Sequence, residues 1–418
     1  MKILFFSDNY PPERNAAASR VHERAVYWAR WGHEITVLTG APNFPEGRVQ
    51  EGYTNAWHRR EQREGVSVVR VKTYIAPNEG KWRRIADFLS FMAASFLAGL
   101  WECARRGRPT AVAATSPQFF TAVAAWAVAK IVRRPFVFEI SDLWPASIAA
   151  VGAMRPGRVL RALERLELFL YGQAVHIVAQ TPAFRDDLVA RGVPPGKISV
   201  VLNGVELSLF SPRARDAAKA SELGLPASAS FVVGYLGTLG LAHGLDHVIE
   251  AAEELRDEGV CFLLMGPGAE REKLMSEVRA RALGNVVIGP PQPRQEMPRA
   301  WSVCDLSLVH LKDTPVFSSV IPSKIFESMA VGKPILLASP EGEASRLVED
   351  QQAGLAIRSG DAHALALAVR QLAGQPDRRQ AYADNARRAA PSYSREKQAA
   401  LMLAALERSA GAVPTGHP

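Results

Sequence analysis

Few cysteines and no metal-binding pattern occur in this sequence. Its three cysteines stand far apart, and none forms a Cys-x-x-Cys pair. An odd number of scattered cysteines argues against a disulfide framework and favours a reducing compartment. The sequence also has no Asp-x-Asp pair, the arrangement that bridges a divalent ion to a diphosphate. We therefore expect a cytoplasmic protein whose chemistry uses no metal.

The sequence also lacks an apolar run long enough to cross a bilayer. Its longest apolar stretch, from Ile85 to Trp101, contains one aspartate and two serines and falls short of the ~20 residues that a span needs. Arginines flank the stretch on both sides. Two interpretations stay open: a helix that lies on an anionic membrane, and an amphipathic helix packed on a sheet. The apolar start of the chain is too short for a signal peptide and favours a first buried strand.

Low-complexity segments and fixed-period repeats are absent as well, which excludes solenoids and propellers. The 418 residues, 48% of them apolar, suit two globular domains of about 200 residues each. A formal net charge of +8 favours an anionic partner. Because no nucleic-acid-binding module is recognised, phosphorylated substrates or an acidic membrane face are favoured over nucleic acid.

Short apolar runs alternate with longer helical patterns, which is typical of parallel sheets with crossover helices. Strands are predicted to begin near residues 3, 35, 67, 111, 136, 176 and 198, and again near 231, 261, 286, 306, 335 and 354. A helix is predicted from about Ser19, as its N-cap, to Trp31. We expect two Rossmann-like α/β domains, residues 1–205 and 206–390, with parallel sheets facing a central cleft. Residues 391–418 are expected to form a helix that returns toward the first domain, and a tail.

Glycine-containing turns follow two predicted strands of the second half. Gly237 and Gly240 allow the backbone to come close to a ligand, and the helix that begins near Leu245 directs free N–H groups at it. This arrangement suits a diphosphate. The spacing differs from the G-x-G-x-x-G pattern and so gives little support to a dinucleotide. The second turn contains Gly266 and Gly268, and for both turns a tight connection without a ligand is the alternative.

The loop between the first strand and its helix carries polar residues. In an open parallel sheet, ligands bind beyond the carboxyl ends of the strands. We therefore expect Arg14, Asn15 and Arg20 to meet an anion on the acceptor side, with solvated surface as the alternative for each.

The densest constellation of candidate functional residues runs from Val320 to Ile335. Ser323 is predicted to cap a helix, with Lys324 in its first turn and Glu327 one turn later on the same face. A carboxylate there suits two vicinal hydroxyls, and a lysine at a helix start suits phosphate although it opposes the helix dipole. The alternative is a surface pair of Lys324 with Glu327. His310, after the preceding strand, is expected either to contact the donor or to be structural.

Several segments of the chain follow one another in an order that resembles a known family. This chain is similar to GT-B glycosyltransferases of family 4, particularly the WbuB-like branch that builds O-antigen and capsule sugars, and the resemblance spans most of it. The segments are Asn9-Tyr10-Pro11-Pro12-Glu13, residues 30–39, Ala114-Thr115-Ser116-Pro117, Asp142-Leu143-Trp144-Pro145, residues 201–205, Gly266-Pro267-Gly268 and residues 322–334.

The resemblance implies a retaining, metal-independent transfer of a hexose, N-acetylated or deoxy hexose from a UDP-sugar, which is a substrate and not a cofactor. The acceptor would be a saccharide or an undecaprenyl-diphosphate-linked sugar. By resemblance, Asp142 faces the reacting sugar or the acceptor hydroxyl, and Lys324 stabilises the leaving diphosphate. By resemblance, Glu327 also holds the ribose hydroxyls and the turn from Gly237 to Gly240 holds the diphosphate. Together with the residues predicted from the sequence pattern, the predicted donor-binding set is Gly237, Thr238, Leu239, Gly240, His243, Gly266, Gly268, His310, Ser323, Lys324 and Glu327.

The chain departs from the family pattern at three positions. The family commonly has two glutamates eight positions apart, and the first of them falls on Ser319 here. Many members carry an arginine and a lysine after the first strand of the second domain, where this chain has Thr238 and His243. We therefore expect Lys324, with His243 or Arg14, to carry the phosphate-binding charge.

Other functions fit parts of the sequence. A nucleotide-sugar 2-epimerase shares the two-domain design, and a non-catalytic scaffold in polysaccharide assembly shares the fold. An NAD-dependent dehydrogenase needs a fingerprint and an acidic residue about 20 positions further on, which neither turn supplies. As partners we expect the donor and acceptor, an anionic membrane contacted peripherally at the inner face of the plasma membrane, and no nucleic acid.

Overall fold

The computed structural model describes residues 1–13, 15–43, 47–75, 81–116, 118–143 and 157–411. The chain forms two compact units. One comprises Met1–Asn203 and the chain from Arg395 onward, and the other comprises Gly204–Ser394. Each unit contains a largely or wholly parallel sheet with helices between its strands, and the predicted α/β fold class is confirmed.

The first unit is built on an eight-stranded sheet. Its strands are β1 (Lys2–Phe6), β2 (Glu34–Gly40), β3 (His58–Arg63), β4 (Val66–Val71), β5 (Ala111–Thr115), β6 (Phe136–Ile140), β7 (His176–Ala179) and β8 (Ile198–Val200). Their order across the sheet is β3-β4-β2-β1-β5-β6-β7-β8, and all pairs are parallel except β3 with β4. The sequence did not predict β3, because this edge strand consists of charged and polar residues and its side chains stay largely exposed.

Helices cover both faces of this sheet. They are α1 (Ala16–Arg30), α2 (Lys81–Arg106), α3 (Phe119–Val132), α4 (Arg158–Gln173), α5 (Pro182–Ala190) and, from the end of the chain, the helix Arg395–Gly411. One core joins apolar residues of α2, α3, α4 and α5 to one face of the sheet. A second core joins α1 and the last helix to the other face.

The start of α1 differs from the prediction. Asn15 is its N-cap, because the Asn15 side-chain oxygen accepts a hydrogen bond of 2.8 Å from the N–H of Ala18. Ser19 lies inside the first turn, where its N–H donates to the carbonyl oxygen of Asn15 at 3.1 Å. The prediction of Ser19 as N-cap is therefore wrong, since an asparagine four residues earlier satisfies one of the orphan N–H groups of the first turn, that of Ala18.

The helix Arg395–Gly411 is part of the first unit. The indole N–H of Trp28 donates to the carbonyl oxygen of Ala399 at 2.9 Å, and the Arg395 guanidinium contacts the carboxylate of Glu23 at 2.6 Å. Met402 and Leu406 fill the core beneath α1. Residues far apart along the chain thus close one face of the first sheet.

The second unit contains a fully parallel six-stranded sheet. Its strands are β9 (Phe231–Leu236), β10 (Val260–Met265), β11 (Val286–Gly289), β12 (Leu306–His310), β13 (Ile335–Ala338) and β14 (Gly354–Ile357). Its helices are α6 (Ala217–Glu222), α7 (Asp246–Glu254), α8 (Arg271–Ala280), α9 (Met297–Ser302), α10 (Ser323–Val331), α11 (Glu343–Asp350), α12 (Ala362–Ala373) and α13 (Pro376–Ala389), so the last helix of the chain is α14.

The strand order of the second sheet is β11-β10-β9-β12-β13-β14. Strands β10 and β11 are therefore added on one side of β9. The chain then crosses back to place β12 on the other side of β9, and β13 and β14 follow outward from β12. The point between β9 and β12 is a topological switch point, where connections leave the sheet on opposite sides and open a crevice at the carboxyl ends of the strands.

Candidate functional site

Two turns follow the neighbouring strands β9 and β10 and are hydrogen-bonded to each other. The N–H of Gly237 donates to the carbonyl oxygen of Met265 at 2.8 Å, and that of Leu239 donates to Pro267 at 2.7 Å. A β-carbon on Gly266 would lie 2.0 Å from the carbonyl oxygen of Gly237. Gly266 has a φ of +149°, which side chains rarely allow, so only glycine permits this close approach of the turns.

The hydrogen bonds between the turns decide which backbone groups remain for a ligand. Because the N–H groups of Gly237 and Leu239 are already used, the first turn offers the alternate ones, those of Thr238 and Gly240. Neither of these two N–H groups has an acceptor in the part of the chain that the structure describes. The predicted anion-binding turn thus offers two donors, and the neighbouring turn holds them in place.

Lys324 of α10 reaches this first turn. A β-carbon on Gly237 would lie 2.3 Å from Cε of Lys324, so the lysine stem passes directly over the glycine. Lys324 is buried, and its Nζ donates to Oη of Tyr235 at 3.0 Å. Burial lowers the pKa of Lys324 to about 8, although nearby Glu327 raises it. The lysine is therefore mainly charged at neutral pH, and it is not part of an exposed surface pair.

Tyr235 is a candidate site residue that the sequence pattern did not predict. It lies within β9, and its ring centre is 4.3 Å from Nζ of Lys324. Its hydroxyl accepts from that lysine and donates to the carbonyl oxygen of Thr238 at 2.8 Å. A tyrosine among the apolar residues of a central strand is the available clue, because a buried phenol needs hydrogen-bond partners.

His243 and His310 hold each other in place. Nδ1 of His243 lies 3.2 Å from the carbonyl oxygen of His310, and Nδ1 of His310 lies 2.5 Å from that of His243. Since a carbonyl oxygen only accepts, both Nδ1 atoms carry the proton. Burial and the charge of Lys324 lower the pKa of His243 to about 3, and burial lowers that of His310 to about 4. Both rings are neutral near pH 7, so Lys324 supplies the positive charge.

The start of α10 differs from the prediction. Pro322 occupies the N-cap position, no side-chain cap is found among the described residues, and Ser323 is already the first helical residue. The prediction that Ser323 caps the helix is therefore wrong, and the first-turn N–H groups point toward the same end of the sheet without a side-chain partner. Ser328 donates to the carbonyl oxygen of Lys324 at 2.7 Å and lies 2.6 Å from Ser307 of β12, which fixes α10 to the sheet.

Comparisons with known proteins fit this geometry. Residues 15–204 match the family described as Glycosyl transferase 4-like domain, and residues 222–389 match Glycosyl transferases group 1. The chain is a glycosyltransferase. It is similar to the Escherichia coli (strain K12) glycosyl transferase WcaI, named for colanic acid biosynthesis, with 27% identity over 356 residues, 84% of this chain and 86% of that protein.

Solved structures share the fold of this glycosyltransferase. Sucrose-phosphate synthase from Thermosynechococcus elongatus aligns with a TM-score of 0.77 and 18% identity, over 98% of this chain and 99% of that one. Anabaena HepE, solved in complex with UDP-glucose, aligns with a TM-score of 0.67 and 18% identity, over 97% of this chain and 99% of that one. These neighbours confirm a GT-B fold.

The acceptor-side residues predicted for the glycosyltransferase lie in its first unit. Arg20 is 3% exposed, donates to Oγ1 of Thr115 at 3.0 Å and forms an ion pair with Glu139 at 3.3 Å. Arg24 pairs with the same carboxylate, so two buried arginines share one acidic partner inside the domain. Asn15 is occupied as the N-cap of α1, and its amide donates to Oδ1 of Asn9 at 2.7 Å. Arg14 lies outside the described residues.

Asp142 follows β6 by two residues and is partly exposed. The residue before it is fixed, because the N–H of Ser141 donates to Oγ of Ser116 at 2.8 Å. The catalytic roles of Asp142 and Lys324 stay predictions, as do the donor contacts of the whole predicted donor-binding set. Among the described residues, no group of three or more His, Cys, Asp or Glu side chains is placed to hold a metal ion. Whether the reaction uses a metal stays a prediction too.

Proposed function

We propose that this glycosyltransferase takes a hexose, an N-acetylated hexose or a deoxy hexose from a UDP-sugar in the synthesis of a surface polysaccharide. The acceptor is a saccharide, free or carried on a lipid diphosphate. Support comes from the relative named for colanic acid biosynthesis and from a structural neighbour solved with UDP-glucose. The sequence resemblance to enzymes of O-antigen and capsule synthesis points the same way.

The observation that carries this proposal is the position of Lys324 against Gly237. The proposed diphosphate site, which we call the diphosphate seat, has three parts: the charged amine of Lys324, the N–H groups of Thr238 and Gly240, and the uncapped first turn of α10. Hydrogen bonds from a charged donor are stronger than those between neutral groups. Glu327, one helical turn after Lys324, holds the ribose hydroxyls in this arrangement.

The chemistry we propose is a transfer with retention and without a metal ion. The bond between the anomeric carbon and the oxygen of the β-phosphate breaks, and the acceptor oxygen forms its bond on the same face of the sugar. The proton of the acceptor hydroxyl passes to the departing phosphate oxygen. Lys324 and the N–H groups around it offset the negative charge that grows on the diphosphate.

Measuring the affinity for UDP tests the proposed diphosphate seat. We expect UDP to bind the wild-type protein with the same affinity with and without EDTA, measured by calorimetry. Lys324→Met keeps an unbranched stem over Gly237 but removes the charge, and it should weaken UDP binding at least tenfold, because a charge-assisted hydrogen bond contributes about 1.5–3 kcal/mol. Lys333→Met, at the other end of α10, removes the same charge and should leave the affinity unchanged.

Product analysis tests the reaction. On addition of a competent acceptor, a transferase releases one UDP for each new glycosidic bond, and nuclear magnetic resonance shows whether the anomeric configuration of the donor is kept. A scaffold releases no UDP, and an epimerase converts the donor without an acceptor. Absence of UDP binding, or equal affinities in the Lys324→Met and Lys333→Met variants, would refute the proposed seat.

A further inference from the structure

One outer surface of the first unit is both apolar and basic. Helices α2, α3 and α4 share one layer on a face of the sheet. On the outside of this layer, large apolar side chains stay exposed, with Leu97 at 64% and Trp101 at 50% of their full area. We call the outer surface of these three helices the α2–α4 face, and the other exposed large apolar side chains of the helices are Leu89, Ile131, Val159, Leu168 and Phe169.

On α2 the exposed apolar residues form a continuous stripe. Leu89, Ala93, Leu97 and Trp101 recur every four residues, so they lie on one side of the helix. At 1.5 Å per residue the stripe is about 18 Å long. Arg105 continues the same line, and its guanidinium carbon lies 4.6 Å from the ring centre of Trp101. The stripe therefore ends in an aromatic and basic pair, a combination that suits a membrane interface.

The inner side of α2 is committed to the fold. A β-carbon on Gly99 would lie 2.9 Å from Cζ of Phe6, so the helix backbone rests directly on the sheet. Phe91 and Ser95 are fully buried beneath it, and buried Glu102 lies 3.0 Å from His58. The prediction that this stretch is too short to cross a bilayer is wrong, because the helical segment Ile85–Arg106 is long and apolar enough by length and composition. Crossing would, however, require it to leave this core. The packing is compatible with a helix that lies along a surface, not with one that spans it.

Positive charges lie at the carboxyl-terminal ends of α2, which carries the apolar stripe, and of α3. Arg105, Lys130, Arg133 and Arg134 stand at the ends of α2 and α3, and all four are exposed. None of them forms an ion pair with an acidic side chain in the described part of the chain. On α4, Arg158, Arg161 and Arg165 are exposed in the same way. Such unpaired cations beside an apolar surface are complementary to a layer of anionic headgroups over acyl chains.

We propose that the α2–α4 face docks on the surface of an anionic lipid bilayer. The apolar side chains of α2 and α4 enter the boundary between headgroups and acyl chains, and the arginines and lysine contact the headgroup phosphates. The enzyme is thereby held parallel to the membrane without a spanning segment. This proposal does not depend on the identity of the sugar donor.

Vesicle flotation tests this proposal on the full-length protein. Vesicles of phosphatidylglycerol with phosphatidylcholine should bind the protein at least tenfold better than vesicles of phosphatidylcholine alone, and high salt should reduce the difference. The double variant Arg133→Gln with Arg134→Gln should lose about 25-fold in vesicle binding, since each basic residue near an anionic surface contributes roughly a fivefold factor. The double variant Leu97→Ser with Trp101→Ser should lose at least about tenfold, because it removes apolar area that would enter the membrane boundary.

Matched controls replace exposed residues outside this face. Leu401→Ser on α14 and Arg346→Gln with Arg358→Gln in the second unit should bind vesicles as the wild type does. All variants should keep their melting temperature, which shows that they fold. Equal binding to neutral and anionic vesicles, no binding to either, or equal losses in control and test variants would overturn the proposal. Concentration-dependent self-association in sedimentation that Leu97→Ser with Trp101→Ser abolishes, without vesicle binding, would assign the face to contact between copies of the chain.

Discussion

Replacing Gly237 with alanine tests the contact on which the proposed diphosphate seat depends. The φ of Gly237 is +147°, and the new β-carbon would lie 2.3 Å from Cε of Lys324. Two costs arise from this single methyl group. The backbone is held in a conformation that favours glycine, which costs about 1–3 kcal/mol, and the overlap displaces the lysine, which costs about 1–3 kcal/mol more.

The two costs are separable in a double-mutant cycle. In the Lys324→Ala background the overlap disappears and only the backbone cost remains. The destabilisation by Gly237→Ala should therefore be smaller there by about 1–3 kcal/mol, a coupling typical of residues in direct contact. In a unit of this size each kcal/mol shifts Tm by roughly 2–4 °C, so differential scanning calorimetry on four proteins resolves the coupling.

Gly240→Ala is the matched control. Gly240 has a φ of −121°, and its new β-carbon would lie no closer than 3.5 Å to Thr238. We expect a change in Tm within about 2 °C, and UDP affinity close to that of the wild type, because the Gly240 N–H is retained. Gly237→Ala should weaken UDP binding at least tenfold, as Lys324→Met does. The same cost of Gly237→Ala with and without Lys324, or wild-type UDP affinity in that variant, would refute the contact.

Three further predictions concern titration and buried polar groups. Because burial lowers the pKa of Lys324 to about 8, and the charged form binds phosphate, UDP affinity measured by calorimetry should fall about tenfold from pH 7 to pH 9, and Lys324→Met should remove this dependence. Tyr235→Phe keeps the ring but leaves the lysine amine and the Thr238 carbonyl without their partner, so UDP affinity should fall roughly three- to tenfold. Burial acts to raise the pKa of Glu139, but Arg20 and Arg24 outweigh it and hold that pKa at about 2, below the ordinary value of 4.5. Its stabilisation is therefore complete above pH 4.5 and lost as the pH falls toward 2, and Glu139→Gln, which leaves two buried arginines without their counter-charge, should lower stability in thermal melts by about 3–5 kcal/mol.

The strands were predictable because most of them are buried on both faces. Parallel strands covered by helices on either side form continuous apolar runs, and every run predicted as a strand is a strand in the structure. β3 was not predicted, because it is the edge strand of the sheet, pairs with β4 only and presents charged side chains to water. The apolar pattern reports burial, so an exposed edge strand leaves no trace in it.

The site was predictable in its parts and less so in its connections. Gly237 and Lys324 stand 87 positions apart, and both were predicted near phosphate from local patterns alone. Their direct contact, and the role of Tyr235 between them, depend on how α10 packs on the sheet, which no local pattern contains. The helix N-caps were predicted wrongly for a similar reason. Several polar residues compete for one cap position, and Asn15 rather than Ser19 accepts from a first-turn N–H of α1, that of Ala18.

The position of α14 has a consequence for the order of folding during synthesis. Trp28 and its apolar neighbours on α1 stay uncovered until residues near Ala399 leave the ribosome, after the whole second unit has been made. The first unit is therefore synthesised first, but its core is completed last, when α14 packs against α1. A fragment ending near residue 203, or a chain cut before Arg395, would present an open apolar face to water and should aggregate, whereas the uninterrupted stretch 204–394 is the better candidate for expression by itself.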